Sequence, residues 1–140
     1  MGDGEGTLSI ALLSGTDDKL NAAALLAVGA AALGRRVDIL LQYWALDAFR
    51  AGHLTKDHGL APEAAPDGAA ALRRLQAEGR GQHWSAVLAQ AKEIGEVSVH
   101  ACSLSMDAFG LAQADLDPIV DDVEGVAAFL LAADGQLVFI

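Results

Sequence analysis

The sequence predicts an α/β protein: a mostly parallel five-stranded sheet with helices on both faces, in three layers. Two observations predict this class. Short apolar runs rich in strand-forming residues alternate along the chain with longer helical patterns, and such alternation is typical of parallel strands joined by crossover helices. The chain also has 140 residues, 53% of them hydrophobic, which suits one core and one domain over residues 1–140.

The front of the chain predicts strand, helix, strand and helix. Leu8–Leu13 is an apolar run between glycine and a polar turn, as expected of a buried strand. Thr16 with the two aspartates that follow it is typical of a helix start and Gly34 of a helix end, so the first helix is predicted at Asp17–Leu33. Val37–Trp44 is predicted to be the second strand, and a short helix follows it.

The middle of the chain predicts a long loop followed by two helices. Residues 53–68 contain two prolines, two histidines and scattered charge, so we predict an exposed, mobile loop there. Helical spacing of apolar residues then predicts helices at Ala69–Glu78 and His83–Gly95, the second with Trp84 on its inward face.

The last third completes the sheet. The predicted elements are a third strand at Glu96–Ala101, a short helix at Ser103–Leu111, a short fourth strand within Ile119–Gly125, a helix at Val126–Gly135 and a closing strand at Gln136–Ile140.

Composition and charge limit the class of partner and the compartment. Nineteen acidic against nine basic residues give a net charge of −10 without a basic cluster, which disfavours nucleic acid and anionic membranes. The longest apolar stretch, Ala22–Leu33, is too short to span a bilayer. One cysteine and no secretory leader predict a reducing cytoplasm, and residues 1–7 are expected to be a flexible tail.

Cys102 lies where the third strand passes into a helix. The partial positive charge of a helix start favours thiolate over thiol, which would make this residue a nucleophile. A lone cysteine in a cytoplasmic protein can equally be a small, buried apolar side chain. The residues leave both interpretations open. With no second cysteine, a dithiol cycle within one chain is excluded.

Other candidate residues should share the same sheet edge, because the carboxyl ends of parallel strands lie together. The turn Ser14, Gly15 and Thr16 could bind an anion or only cap a helix, and Tyr43 with Trp44 could roof a pocket or pack against a subunit. His100 points the same way as Cys102 on an extended strand, so it could stabilise the thiolate or be a buried histidine without a catalytic role. Ligand-spaced pairs are lacking, so no metal and no cofactor is expected.

Three stretches together resemble the DsrE/DsrF-like family, which includes TusD-type sulfur-relay subunits and proteins labelled sulfurtransferase or peroxiredoxin-like. They are residues 13–50, 97–111 and 117–140, so the resemblance covers nearly all the chain outside residues 53–82. The segment ACSLSMD, Ala101–Asp107, is the most specific, since it resembles the AC-x-LS or AC-x-MSMD signature of the branch of the family that carries its cysteine at that point.

The resemblance implies that Cys102 accepts sulfane sulfur as a persulfide and passes it on, and that Lys19 approaches the same edge. It also implies a DsrEF-like sheet in Rossmann-like order and assembly as a trimer or hexamer. This chain departs from the family in one respect: some relatives have a second cysteine in the strand where it has LLQYW. The residues implied to shape the surroundings of the thiol are Ser103, Ser105, Met106 and Asp107.

These observations support three hypotheses. The leading one is a cytoplasmic sulfur carrier or sulfurtransferase-like protein that acts through Cys102, with a small, basic sulfur-carrier protein as partner. The second is a non-enzymatic oligomeric assembly module that binds a small ligand near Tyr43 and Trp44, with Cys102 inert. The third is a thiol peroxidase. Accessibility of the thiol separates the first two, and whether the protein is an enzyme stays open.

Overall fold

The computed structural model describes residues 6–140, which form five strands and six α-helices. Residues 1–5 of the predicted tail lie outside the described residues. Thr7 is buried and its N–H donates to Asp134 Oδ1 over 2.9 Å, so it belongs to the fold and not to a tail. The strands are β1 (Leu8–Leu12), β2 (Val37–Leu41), β3 (Val97–Cys102), β4 (Asp122–Glu124) and β5 (Gln136–Phe139), and the helices are α1 (Asp17–Ala32), α2 (Tyr43–Ala48), α3 (Gly68–Ala77), α4 (Trp84–Ile94), α5 (Ser103–Phe109) and α6 (Val126–Ala132).

The strands form one sheet in the order β4-β3-β2-β1-β5, and every neighbouring pair is parallel. The predicted fold class is therefore confirmed. β3, β2 and β1 follow one another as in a Rossmann-like sheet, while β5 takes the place beside β1 and β4 lies beyond β3. All five residues of β2 are buried, because this central strand is covered on both faces.

The first face of the sheet carries the main core. Leu8, Ile10 and Leu12 of β1 point to it, and α1 and α4 pack against it. Small side chains let the two helices approach closely: a Cβ added at Gly95 would lie 2.8 Å from the Cβ of Ala31. The alanine-rich α1 is thus packed tightly against the helix that precedes β3.

The second face is more thinly covered. The alternate residues of the central strands point to it, among them Asp38, Leu40, His100 and Cys102. Here a small apolar cluster joins Leu40 and Cys102 to Phe129 of α6. Apolar side chains around this face stay exposed to solvent, namely Leu130, Leu131, Leu137 and Phe139.

The second strand is shorter than predicted. It ends at Leu41, and Tyr43 and Trp44 begin α2. Tyr43 has a φ of +40°, in the left-handed region, and its backbone N–H donates to Ser105 Oγ over 3.0 Å. A sharp turn fixed by a contact with α5 therefore ends the strand before these two aromatic residues.

The segment predicted as a mobile loop is attached to the start of α1. Residues 53–67 contain turns and a single 3₁₀ turn at Pro62–Ala64 before α3 begins. The carboxylates of Asp17 and Asp18 accept hydrogen bonds from the backbone N–H groups of His58 and Ala61, at 3.0 and 3.1 Å. These bonds position the segment beside the amino end of α1, and its mobility stays a prediction.

Among the helices described in residues 6–140, none has the length and apolar character needed to cross a bilayer.

Candidate functional site

Cys102 is the last residue of β3 and the residue immediately before α5. Its backbone is extended, with φ −67° and ψ 121°, and the helix begins directly at Ser103. The thiol is therefore at the strand-to-helix junction that the sequence predicted. Its side chain is only 2% exposed, which agrees with the alternative interpretation of a buried cysteine.

An aromatic side chain from a short helix packs on Cys102. Phe129 packs on Cys102 and Leu40, and it is the one buried residue of α6, all of which the structure describes. Leu131 on the same helix is 88% exposed. One buried anchor on seven residues makes α6 a weakly held element of the fold.

His100 lies two residues before Cys102 on the same sheet face and contacts carboxylates on both sides. Its Nε2 is 3.0 Å from Asp38 Oδ1, and its Nδ1 is 2.6 Å from Asp122 Oδ1. Glu124 Oε2 lies 3.7 Å from the same Nδ1. Carboxylate oxygens are acceptors, so a ring that contacts one at each nitrogen donates from both and carries a positive charge.

Electrostatics agree with a charged ring. Burial opposes the charging of His100, but the hydrogen bonds to Asp38 and Asp122 and the charges of Asp122 and Glu124 outweigh it. Together they raise the pKa of His100 above its ordinary value of 6.5. A cation is thereby held on the face of β3 that also carries the thiol.

We expect the stabilising contribution of this cluster to fall as pH rises. Because the pKa of His100 is higher in the folded than in the unfolded chain, the contribution is complete below about pH 6.5 and is lost as pH rises through the folded-state pKa. The measurement is the difference in unfolding free energy between the wild type and His100→Gln, from urea titrations between about pH 5.5 and about pH 9. A difference that stays constant over this range would contradict the charged assignment.

The donor atoms of His100, Asp122 and Glu124 lie within 4.8 Å of one another, close enough to share one cation. Hydrogen bonds account for the arrangement, since each ring nitrogen has a carboxylate oxygen at 2.6 or 3.0 Å. We therefore assign the cluster as a proton-binding one. The cluster was not predicted from the sequence, although the alternation of Asp122 and Glu124 along β4 is a signal for one shared face.

A cavity of about 410 Å³ lies at the carboxyl edge of the sheet. It brings together several residues that the sequence analysis placed there: the turn Ser14, Gly15 and Thr16, with Lys19 and Trp44. Cys102 is not among the residues that line it. The predicted site residues are thus divided between this cavity and the covered thiol on the second face.

Two neighbours of this cavity are held by other contacts. Lys19 Nζ is 3.5 Å from Glu63 Oε2, so its charge is paired at the surface. The ring of Tyr43 lies 6.1 Å from that of Trp44 and 6.5 Å from that of Phe109, between centroids, and the three rings form an aromatic cluster at the start of α2.

The α5 residues of the ACSLSMD segment have different positions. Ser105 is fully buried and accepts the hydrogen bond from Tyr43, while Met106 is part of the core on the first face. Ser103 and Asp107 are exposed. Ser105 and Met106 therefore attach α5 to the rest of the fold, and Ser103 is the exposed residue next to Cys102.

Comparisons with known proteins agree with the fold. No family model matches the chain. The uncharacterized protein YrkE of Bacillus subtilis (strain 168) is 32% identical over an alignment of 150 positions, which covers 90% of this chain and 90% of YrkE.

Two solved structures share the architecture across 96% of this chain and 99% of their own. They are the ychN protein from E. coli, with a TM-score of 0.57 and 16% identity, and MTH1491 from Methanobacterium thermoautotrophicum, a protein of unknown function, with 0.55 and 15%. Both have the DsrE/DsrF-like fold. At these identities the likeness establishes the fold alone.

Proposed function

This chain belongs to the same family as YrkE of Bacillus subtilis, and from that premise we propose that it carries sulfane sulfur on Cys102 as a persulfide. The observation that supports this most is the position of Cys102, between β3 and α5 of a DsrE/DsrF-like fold. The surrounding segment, Ala101–Asp107, resembles the AC-x-MSMD signature of cysteine-bearing members. YrkE is itself uncharacterized, so the activity is inferred from the site.

The reaction is a thiol–disulfide type of exchange. The Cys102 thiolate attacks the outer sulfur of a donor persulfide, R–S–SH. A bond forms between Sγ and that sulfur, the donor S–S bond breaks, and its electron pair leaves on the donor as the thiolate R–S⁻. One sulfur atom is transferred without net oxidation or reduction, so no further oxidant or reductant is required.

The surroundings of Cys102 suit a carried persulfide. The charge of the His100 ring on the same face is taken up by the carboxylates of Asp38 and Asp122, so the enclosure of the thiol is the feature that bears on a persulfide. Leu40 and Phe129 cover the thiol and exclude water, so small reductants would have little access to the bound sulfur. An enclosed position thus supports storage of sulfur more than rapid turnover.

Access to Cys102 then requires that α6 move away from the second face. Its one buried side chain, Phe129, is the contact that must be broken, and the exposed Leu130 and Leu131 add no buried anchor. Elements with so few buried contacts open locally at low cost. Donor and acceptor would therefore meet the thiol in a state in which Phe129 has withdrawn.

The partners follow from charge and exposed apolar surface. A net charge of −10 suits a small, basic sulfur-carrier protein, because opposite charge favours encounter. Leu137 and Phe139 of β5 are exposed beside the second face, which supports assembly of this chain into a homo-oligomer. A single thiol that must stay reduced supports a cytoplasmic location.

A second candidate function is a non-enzymatic assembly module with an inert Cys102. The observation in its favour is the burial of the thiol, together with a separate cavity that Lys19 and Trp44 line and Cys102 does not. In this case the cavity would bind a small ligand and the cysteine would only fill space in the second-face cluster.

One experiment separates the two candidates. The native protein is exposed to a low-molecular-weight persulfide donor, and its intact mass is compared with that of Cys102→Ser. We expect the wild type to gain one reducible sulfur atom and the variant none. If neither gains sulfur, and the thiol resists alkylation until the chain is unfolded, the cysteine is structural and the assembly module is the better description.

A further inference from the structure

A cavity of about 840 Å³ lies between α1, α3 and α4, and Cys102 does not line it. Its size is in the range of pockets that hold small molecules. It is bordered by the segment at residues 55–60, which approaches from the side. This cavity is called the α3 cleft below.

Part of the wall of the α3 cleft is apolar. Leu72 and Leu75, three residues apart on α3, both line it, and Leu25 and Val28 line it from α1. No residue of α3 is buried, although the structure describes the whole helix. The leucines of α3 therefore border a cavity and not a filled core, which leaves apolar surface for a ligand to cover.

Three cations border these apolar walls in a chain with a net charge of −10. They are Lys56, Arg73 and Arg80. Arg80 forms an ion pair with Glu78 at 2.6 Å. Within residues 6–140, Lys56 and Arg73 have no carboxylate within 4.0 Å. Two positively charged side chains without an ion-pair partner thus border the cleft of an acidic protein.

The two carboxylates that also line the cleft already have partners. Asp17 accepts a hydrogen bond from the indole N–H of Trp84 at 2.9 Å and another from the backbone N–H of His58 at 3.0 Å. Asp57 accepts from the backbone N–H of Gly59 at 2.8 Å. Each carboxylate keeps its negative charge but is engaged by these local donors, so the cationic side chains of the cleft that lack an ion-pair partner among the described residues are Lys56 and Arg73.

We propose that the α3 cleft binds a small amphipathic anion, with an apolar chain against Leu72 and Leu75 and an acidic head group at Arg73. Arginine pairs with carboxylates through two parallel N–H···O bonds, so a carboxylate head group suits Arg73 best. Lys56 is a second cation on the border of the same cleft. This site is independent of the sulfur chemistry proposed for Cys102.

Octanoate is the probe, and Trp84 reports its binding. Trp84 is buried in the cleft, whereas the other tryptophan, Trp44, lines the separate cavity at the sheet edge. A Trp44→Phe background leaves Trp84 as the sole indole. We expect saturable quenching or enhancement of its fluorescence on addition of octanoate, and binding about tenfold weaker for the uncharged analogue octan-1-ol.

Arg73 and Arg74 form a matched pair for the test, since both are exposed on α3 and only Arg73 lines the cleft. Arg73→Ala should weaken octanoate binding about tenfold and leave octanol binding unchanged, while Arg74→Ala should alter neither. Because both positions are exposed, neither substitution threatens the fold. The proposal is overturned if octanoate gives no saturable signal, if octanol binds as tightly as octanoate, or if the two variants behave alike.

Discussion

Gly15→Ala is expected to destabilise the protein by about 3 kcal/mol or more, because there is no room for a β-carbon at this position. An added Cβ would overlap the carbonyl oxygen of Trp44 and lie 2.7 Å from its carbonyl carbon. Both are backbone atoms, so no side-chain rotation can relieve the contact. The turn after β1 and the start of α2 would have to separate, which would disturb the carboxyl edge of the sheet.

The control for Gly15→Ala is Gly29→Ala. Gly29 lies inside α1, and an added Cβ there meets nothing within 4 Å. Alanine in a helix interior is favoured over glycine by about 0.5–1 kcal/mol, so this variant should be slightly more stable than the wild type. Urea unfolding followed by circular dichroism measures both. Equal midpoints for Gly15→Ala and the wild type would show that the two segments are not in close contact.

Phe129→Ala is expected to raise the alkylation rate of Cys102 in the native protein by about a hundredfold or more. Removing a buried phenylalanine costs about 3–5 kcal/mol, and here that loss falls on the contact that holds α6 over the thiol. Each 1.4 kcal/mol shifts the opening equilibrium about tenfold. Cys102 would then spend far more time within reach of a small reagent.

Leu131→Ala is the matched control, since it changes a leucine of the same helix that is 88% exposed. Its alkylation rate should equal that of the wild type. The rates are read from intact mass after timed exposure to iodoacetamide in native buffer. If Phe129→Ala and Leu131→Ala react equally fast, Phe129 does not control access to the thiol, and the proposed opening of α6 is wrong.

The number of strands and the placement of most helices follow from local sequence patterns. The end of β2 does not, because Tyr43 and Trp44 are residue types that favour strands. What ends the strand is a left-handed turn at Tyr43 and a hydrogen bond to Ser105, 62 residues further along the chain. A contact of this range is set by the packing of α2 against α5 and leaves no local signal.

In the candidate site, too, some features follow from local sequence and others depend on distant contacts. The position of Cys102 at the end of a strand was predictable from local sequence. Its burial was not, because Phe129 comes from α6, an element distant from Cys102 in the sequence. The charge of His100 depends on Asp38 of β2 and Asp122 of β4, so it could be predicted only once the register of both neighbouring strands was known.

Sulfur transfer by the native wild-type chain is the most direct test of the proposed function. The protein is loaded from a persulfide donor, the donor is removed, and intact mass is followed after an acceptor thiol is added. A sulfur carrier gains the mass of one sulfur atom at Cys102 and then loses it as the acceptor becomes a persulfide. The proposal would be contradicted if the folded chain gained no sulfur while the same chain gained it when unfolded in urea. The buried thiol would then be unavailable to a donor in the folded protein.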